Sequence, residues 1–458
     1  MAAGPSVDPV DVEVVRPRVA LRDNGDVATP TATGHATATG RLAGTGAGER
    51  GNRALFAIHG MRPLLVSAVA WNFTLWGSLF IGTETLSDTG ASVLAVQLTG
   101  MASWAPLLLG GAIAGRYAAR VDRIPALRRI GFLLGLLMAG IAISFMAGGP
   151  RALVYVATFA AGLGMLANLT LQRPALYELA GPTLGPAALA LDALGMATAS
   201  CLGPLLLGFV LSLGGPQAGY VALGGVYLVT LVLLRRVPLH GVRRPPVVPV
   251  EVTAGARFVP SRGIVGLLGI TVIVNFFYFP FLALIPVLAA RYTDASWSVG
   301  VLAAAPGLGM IIGISAVAIR RPVRLARPYL LGSAVALAAL VPVAQAPSYP
   351  TLFAALVLAG LGLSGFTAAQ GSLVMAAAPA TMRSQAMGLL ATAVGVLPLG
   401  TLVLGLVAEH LGPVAAVTGS GLLGVTFLAL WTPMWLAVLR LPPTIPLSPR
   451  TVGRDDGV

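Results

Sequence analysis

Lysine is absent from this chain, and all 29 of its basic residues are arginine. Charge of either sign is scarce: 10% of 458 residues, against about a quarter in an ordinary soluble domain. The missing lysine excludes a G-x-x-x-x-G-K-[S/T] phosphate loop, so the chain does not itself couple to ATP hydrolysis. A single cysteine, Cys201, excludes an intramolecular disulfide. It stands mid-helix among small residues and reads as packing. The four histidines, His35, His59, His240 and His410, are scattered without ligand spacing, so neither a metal site nor a cofactor is expected. With no Ser-His-Asp set and no paired carboxylates, an enzyme is not expected. A net charge of +13 would suggest nucleic acid in a soluble protein. No basic patch is interleaved with aromatics, so a nucleic-acid partner is not expected either.

What the chain has instead is apolar length. It is 56% hydrophobic, with runs of roughly 20 apolar residues, the span of a bilayer core as helix. The alternation over about 10 residues that a membrane β-barrel needs is missing. The fold class is therefore an all-α polytopic membrane protein. Twelve spans are expected, near 64–83, 91–115, 130–148, 152–172, 188–212, 218–234, 264–288, 298–319, 328–346, 351–375, 387–408 and 414–437. Residues 1–58, rich in Ala, Thr, Gly, Pro and Asp, show no helical or strand period and read as a disordered tail. No positive segment precedes an early apolar core, so no cleavable signal peptide is expected there.

Arginine sets the orientation. The even-numbered gaps between spans hold seventeen arginines, five of them in 116–129 and four in 320–327, whereas the odd gaps hold two, Arg151 and Arg291. Positive residues in short loops stay cytoplasmic, so both termini are expected inside the cell membrane. The chain also repeats itself. "GAIAG" at 111–115 returns as "GMIIG" at 309–313, and "GPLLLGFV" at 203–210 as "GTLVLGLV" at 400–407, offsets of 198 and 197. Each member of the second pair is followed by a proline at the same spacing, Pro216 and Pro413. The expected organisation is a tail at 1–58, a six-helix bundle at 59–237, a basic cytoplasmic loop at 238–262, a second six-helix bundle at 263–440 and a tail at 441–458. Parallel repeats of this kind are a transporter architecture with the substrate site between the halves.

On these residues the chain resembles the major facilitator superfamily over about 60–440. The family's loop after helix two reads roughly G-x-x-x-D-R-x-G-R-R, or D-R-x-D-R in some exporter branches. Here "GRYAARVDR" sets Gly115, Arg120, Asp122 and Arg123 on that pattern, with Ala119 where the first aspartate belongs. The resemblance implies a gating loop that locks the two halves; with Ala119 in place of the aspartate, either Asp122 substitutes for it or the lock is weaker in this chain. A helix-five pattern of proton-exchanging exporters is met in part, by Gly203, Pro204 and Gly208, with Leu207, Ala190 and Ala199 replacing glycines. Small residues at those places let backbones approach closely.

Ionisable groups inside a membrane are costly and point to function. Of sixteen acids only Asp192 falls inside an expected span, on helix five, and Glu84 stands at the outer end of helix one. These two are the candidates for proton coupling. Asp192 also reads as a fixed carboxylate favoured by the positive end of its helix and paired with Arg173 or Arg116. Asn72 and Asn275 are repeat equivalents at mid-membrane and need a partner on another helix or on a ligand. With Trp71, Gln97, Trp104, Asn168, Tyr278, Thr367 and Gln370 they outline a largely apolar cavity with a few hydrogen-bonding groups. Such a cavity suits neutral or amphipathic molecules. The expectation is a proton-coupled exporter of a small amphipathic compound, with an importer or facilitator of a neutral solute such as a sugar as the alternative. The expected partners are the lipid bilayer, a small-molecule substrate and protons, with the chain acting as a monomer.

Overall fold

The computed structural model of the chain describes residues 53–118, 121–237, 260–320, 325–378 and 383–431, with Pro433, Met434, Leu436 and Leu439 beyond. Arg120, nearly all of the expected 1–58 tail and 238–262 loop, and the 441–458 tail lie outside the described residues. Where the tail is described, it is helical over 53–57, and Leu55 is completely buried.

Every described element is helical. In chain order they are α1 (Met61–Asp88), α2 (Val93–Ala118), α3 (Arg123–Met146) and α4 (Leu153–Gly181). The stretch Thr183–Arg235 carries non-helical Gly215 and so divides into α5 (183–214) and α6 (216–235). The second half holds α7 (Arg262–Ala289), α8 (Ser296–Arg320), α9 (Ala326–Ala344), α10 (Tyr349–Ala377), α11 (Ala386–Leu411) and α12 (Pro413–Leu430). Among the described residues ten stretches are long and apolar enough to cross a membrane. Twelve is reached by dividing the 53-residue stretch at Gly215 and by counting the 26-residue α2, whose apolar part is Val93–Leu108.

Several helices outrun their apolar runs. α1 continues past the expected end at 83 to Asp88, and α4 continues past 172 to Gly181. The polar residues at these ends are accommodated by pairing and burial: Glu84 is 5% exposed, and Glu178 near the end of α4 pairs with Arg123 at the start of α3. Arg128 donates from Nε and Nη2 to the Leu234 carbonyl at 3.1 and 2.6 Å, closing the end of α6. Part of the arginine burst at 116–129 thus ties α3 to the neighbouring helix ends, where cations meet orphan carbonyls.

The repeat seen in the sequence has a geometric counterpart. Gly215 (φ 66°, ψ −169°) and Gly412 (φ 85°, ψ 154°) adopt the same backbone conformation, each followed by the proline that opens the next helix. That conformation is essentially closed to other residues and costs them about 1–3 kcal/mol. Gly215→Ala is therefore expected to lower the apparent melting temperature in detergent. Gly225→Ala is expected to leave it unchanged or raise it, because Gly225 is helical and a Cβ there meets nothing within 4 Å. Equal losses at both sites would show that the turn geometry is not the cause.

The packing follows the same symmetry. A Cβ at Gly203 of α5 would stand 3.3 Å from the Gly77 amide nitrogen on α1, and one at Gly208 would stand 2.8 Å from the Ser296 carbonyl oxygen on α8. One repeat later, a Cβ at Gly400 of α11 would stand 2.5 Å from the Phe276 carbonyl oxygen on α7, and one at Gly405 would stand 2.9 Å from the Gln97 side chain on α2. Each of α5 and α11 thus lies in van der Waals contact with one helix of its own half and one of the other.

Candidate transport site

The contacts between helices before 238 and helices after 259 define a seam. At the arginine-poor end the Leu94 amide donates to Glu409 Oε2 at 2.9 Å, Phe209 meets Trp297 at 6.3 Å, and Glu84 lies beside the Ser296 hydroxyl. Deeper, Gln97 Nε2 donates to the Pro280 carbonyl at 2.8 Å, while Gly100 faces Ala283 and Thr401. Near the middle, Gly307 of α8 abuts the Cys201 backbone on α5, and Leu108 reaches Gly395. Every contact named here lies between the arginine-poor end and the middle of the helices. In this conformation the halves are sealed on that side.

The expected cavity residues divide along this seam. Gln97 is wholly buried and crosses it, with Oε1 left without a partner among the described residues. Trp104 is partly buried and meets Trp76 edge-on at 6.0 Å, over a small cluster of Leu75, Ala161 and Met165. Thr367 donates back to the Leu363 carbonyl of its own helix. Trp71 does not face the other half. It is 1% exposed, meets Tyr227 of α6 edge-on at 5.8 Å and abuts Gly131 and Gly164, so α3, α4 and α6 enclose it. Tyr278 is likewise completely buried, its ring 5.0 Å from Phe281 and 5.6 Å from Phe279.

Asn72 and Asn275 were expected to require another helix or a ligand. Each satisfies its amide on its own helix: Asn72 Nδ2 donates to the Ala68 carbonyl at 2.9 Å and Asn275 Nδ2 to the Thr271 carbonyl at 2.8 Å. The repeat equivalence holds in hydrogen bonding, and the i−4 carbonyl is what the expectation overlooked. Among the described residues Asn72 Oδ1 stays buried without a partner.

Gln370, partly buried, donates to Thr271 Oγ1 at 3.1 Å, and that hydroxyl shares a hydrogen bond of 3.0 Å with Tyr329. Its counterpart 198 residues earlier is Gln172, absent from the sequence-based set. Gln172 Nε2 donates to Ser67 Oγ and to the Leu64 carbonyl on α1. Both glutamines join a helix of their half to the hydroxyl face of its first helix. The repeat offset was the signal that would have found Gln172. Asn168, completely buried, opens the π-helical turn Asn168–Gln172, across which its amide faces Gln172 Oε1 at 3.4 Å. Such turns inside α-helices concentrate at functional sites.

The two candidate carboxylates differ in partner. Asp192 is buried and ion-paired, with Arg173 Nε 2.8 Å from Oδ2; Arg173 also reaches Met196 Sδ at 3.8 Å. Arg173 lies inside α4, not in a loop. Glu84 was expected at the outer end of helix one. It lies within α1, buried where the halves meet, with Asp88 one turn on. In the expected gating loop, Asp122 stands at the N-cap position of α3, and Arg123 pairs with Glu178 of the same half. Gly115 lies within α2, and Arg120 lies outside the described residues. Gly203 and Gly208 occupy the α5 crossings given above, and the Pro204 carbonyl is the nearest atom to a Cβ built on Gly300. Among the described residues no cluster of metal-ligating side chains occurs.

Helices repeated in parallel, with mirrored crossings of α5 on α8 and α11 on α2, make this a two-half membrane carrier. The chain matches the Major Facilitator Superfamily model over residues 64–396 and belongs to that family. It is a multi-pass membrane protein and a secondary transporter. No curated protein matches it. Among solved structures it is similar to a bacterial homolog of the human lysosomal transporter Spinster in an inward-facing, occupied conformation. That likeness has a TM-score of 0.61 at 16% identity and covers 83% of this chain and 96% of the other. It is also similar to the peptide transporter POT in complex with sulfate, with a TM-score of 0.63 at 16% identity and coverage of 84% and 96%. At that identity the likeness speaks for the fold.

Proposed function

We propose that this transporter exports small amphipathic compounds in exchange for protons, by alternating access across the cell membrane, with both termini cytoplasmic. The two bodies that rock are residues 59–237 and 263–440. The observation that carries the reading is Glu84, a carboxylate buried at 5% exposure on the seam between the halves. A group placed there changes its surroundings whenever the seam opens, which is what coupling a proton to the conformational cycle requires. Asp192 is held by Arg173 within one half and serves structure in this reading.

The substrate class follows from the walls. Trp76 and Trp104, 6.0 Å apart in the first half, and the partly buried Phe279 in the second supply aromatic surface. Gln370 and Thr367 supply neutral polar groups. In this reading the seam closed at the arginine-poor end is the outer gate.

The test uses cells with and without the transporter, loaded with a fluorescent amphipathic dye. Cells containing it are expected to retain less dye, and a protonophore is expected to abolish the difference. Glu84→Gln is expected to lose the dependence on the pH gradient while still reaching the membrane. Equal retention with and without the transporter across a dye panel would overturn export, and unaltered pH dependence in Glu84→Gln would remove Glu84 from the coupling.

A further inference from the structure

Two carboxylates meet helix ends across the seam in a reciprocal way. Glu409, near the end of α11 in the second half, accepts the Leu94 amide at 2.9 Å in the first turn of α2 in the first half. Glu84, near the end of α1 in the first half, faces Ser296, the first residue of α8 in the second half. α2 and α8 are repeat equivalents that both begin at the arginine-poor end. The first amides of a helix have no partner within it and carry its positive dipole end. On α2, Ser92 Oγ takes the Ala95 amide at 3.2 Å and Glu409 takes that of Leu94, so one amide is satisfied locally and the next only from across the seam. Among the described residues neither glutamate belongs to an ion pair, the two pairs being Arg123–Glu178 and Arg173–Asp192.

We propose that Glu84 and Glu409 are reciprocal clasps of the arginine-poor gate, each reaching from one half to the N-terminal end of a helix in the other. They are positioning residues of the transport cycle. Their seats exist only while the gate is shut, so each weights the closed state over the open one. The proposal rests on the two halves rocking apart at this end, but not on the direction of transport or on proton coupling.

The test reads gate opening directly, without substrate or a pH gradient, so its failure is distinct from failure of the export reading. In a Cys201→Ser background, Thr401→Cys places a thiol beneath the seal, where Thr401 is 1% exposed and faces Gly100. A membrane-impermeant maleimide is applied from the side of the α1–α2 turn. Glu409→Gln and Glu84→Gln are each expected to raise the labelling rate roughly twofold to tenfold, the scale of one carboxylate at a helix end. The double variant is expected to exceed either. Asp88→Asn, which removes a neighbouring exposed charge, is expected to leave the rate unchanged. Rates for both glutamine variants within measurement error of the parent would overturn the proposal, as would an equal rise in Asp88→Asn. Glu409 is exposed, so its variant folds even where Glu84→Gln does not, and it decides the matter alone.

Discussion

Arg173→Ala is expected to destabilise the protein more than any other single change at the charged positions. The substitution leaves the Asp192 carboxylate, 2% exposed and with Oδ1 lacking a partner among the described residues, inside the first half without its Arg173 cation. Breaking a buried ion pair from one side costs about 3–5 kcal/mol, because the remaining charge is neither paired nor hydrated. Asp192→Asn is expected to cost less. Arg173 is 30% exposed and its guanidinium can still reach water. The double variant Arg173→Ala/Asp192→Asn is expected to recover most of the loss. The pair then behaves as a coupled unit in which removing both partners is milder than removing one. Apparent melting temperatures in detergent give the order: Arg173→Ala lowest, double variant above it, parent highest. If Arg173→Ala matched the parent, the pair would not hold α4 to α5. Transport by Asp192→Asn is expected to keep its pH dependence, which separates this structural carboxylate from Glu84.

That contrast marks how far the sequence reaches. The spans, the repeat and the family resemblance were legible because each rests on a long signal: some twenty apolar residues, a 198-residue offset, a run of arginines. Helix ends were less legible, because polar residues there are stabilised by partners the sequence does not display. Glu84 stood at the outer end of an expected span, yet it is buried beside α8, which begins more than two hundred residues later. Arg173 and Glu178 looked like loop residues, yet they extend α4 because Asp192 and Arg123 await them. Trp71 looked like a cavity residue because helix one lines the cavity. A helix has two faces, however, and Trp71 is on the one turned to α6. Gln172 was missed because it reads as an ordinary polar residue beside a loop. Only its equivalence to Gln370 singles it out.

The second large effect is expected at Gly162 and Gly360, also 198 residues apart. A Cβ built on Gly162 of α4 would fall on the Ser103 carbonyl oxygen of α2 and 3.0 Å from the Pro106 ring. A Cβ on Gly360 of α10 would fall on the Pro306 carbonyl oxygen of α8. Both obstacles are backbone, so no side chain can rotate away and the helices themselves must part. Overpacking a tight seam typically costs about 1–3 kcal/mol, and more where backbone must shift. Gly360 also has Gly362 and Gly365 beside it, packed against the Gly332 and Pro328 backbone of α9. A shift of α10 away from α8 is therefore blocked on the other side. Gly162→Ala and Gly360→Ala are expected to reduce the yield of monodisperse protein severely and to lower the apparent melting temperature of what remains. Gly208→Ala presents a milder obstacle, 2.8 Å from the Ser296 oxygen, and it lies between halves that must separate in every cycle. It is expected to preserve yield and to raise labelling of Thr401→Cys from the arginine-poor side. The three variants thus distinguish seams that hold a half together from the seam that opens. Similar yields for all three, with unchanged labelling in Gly208→Ala, would mean that the glycine crossings do not make that distinction.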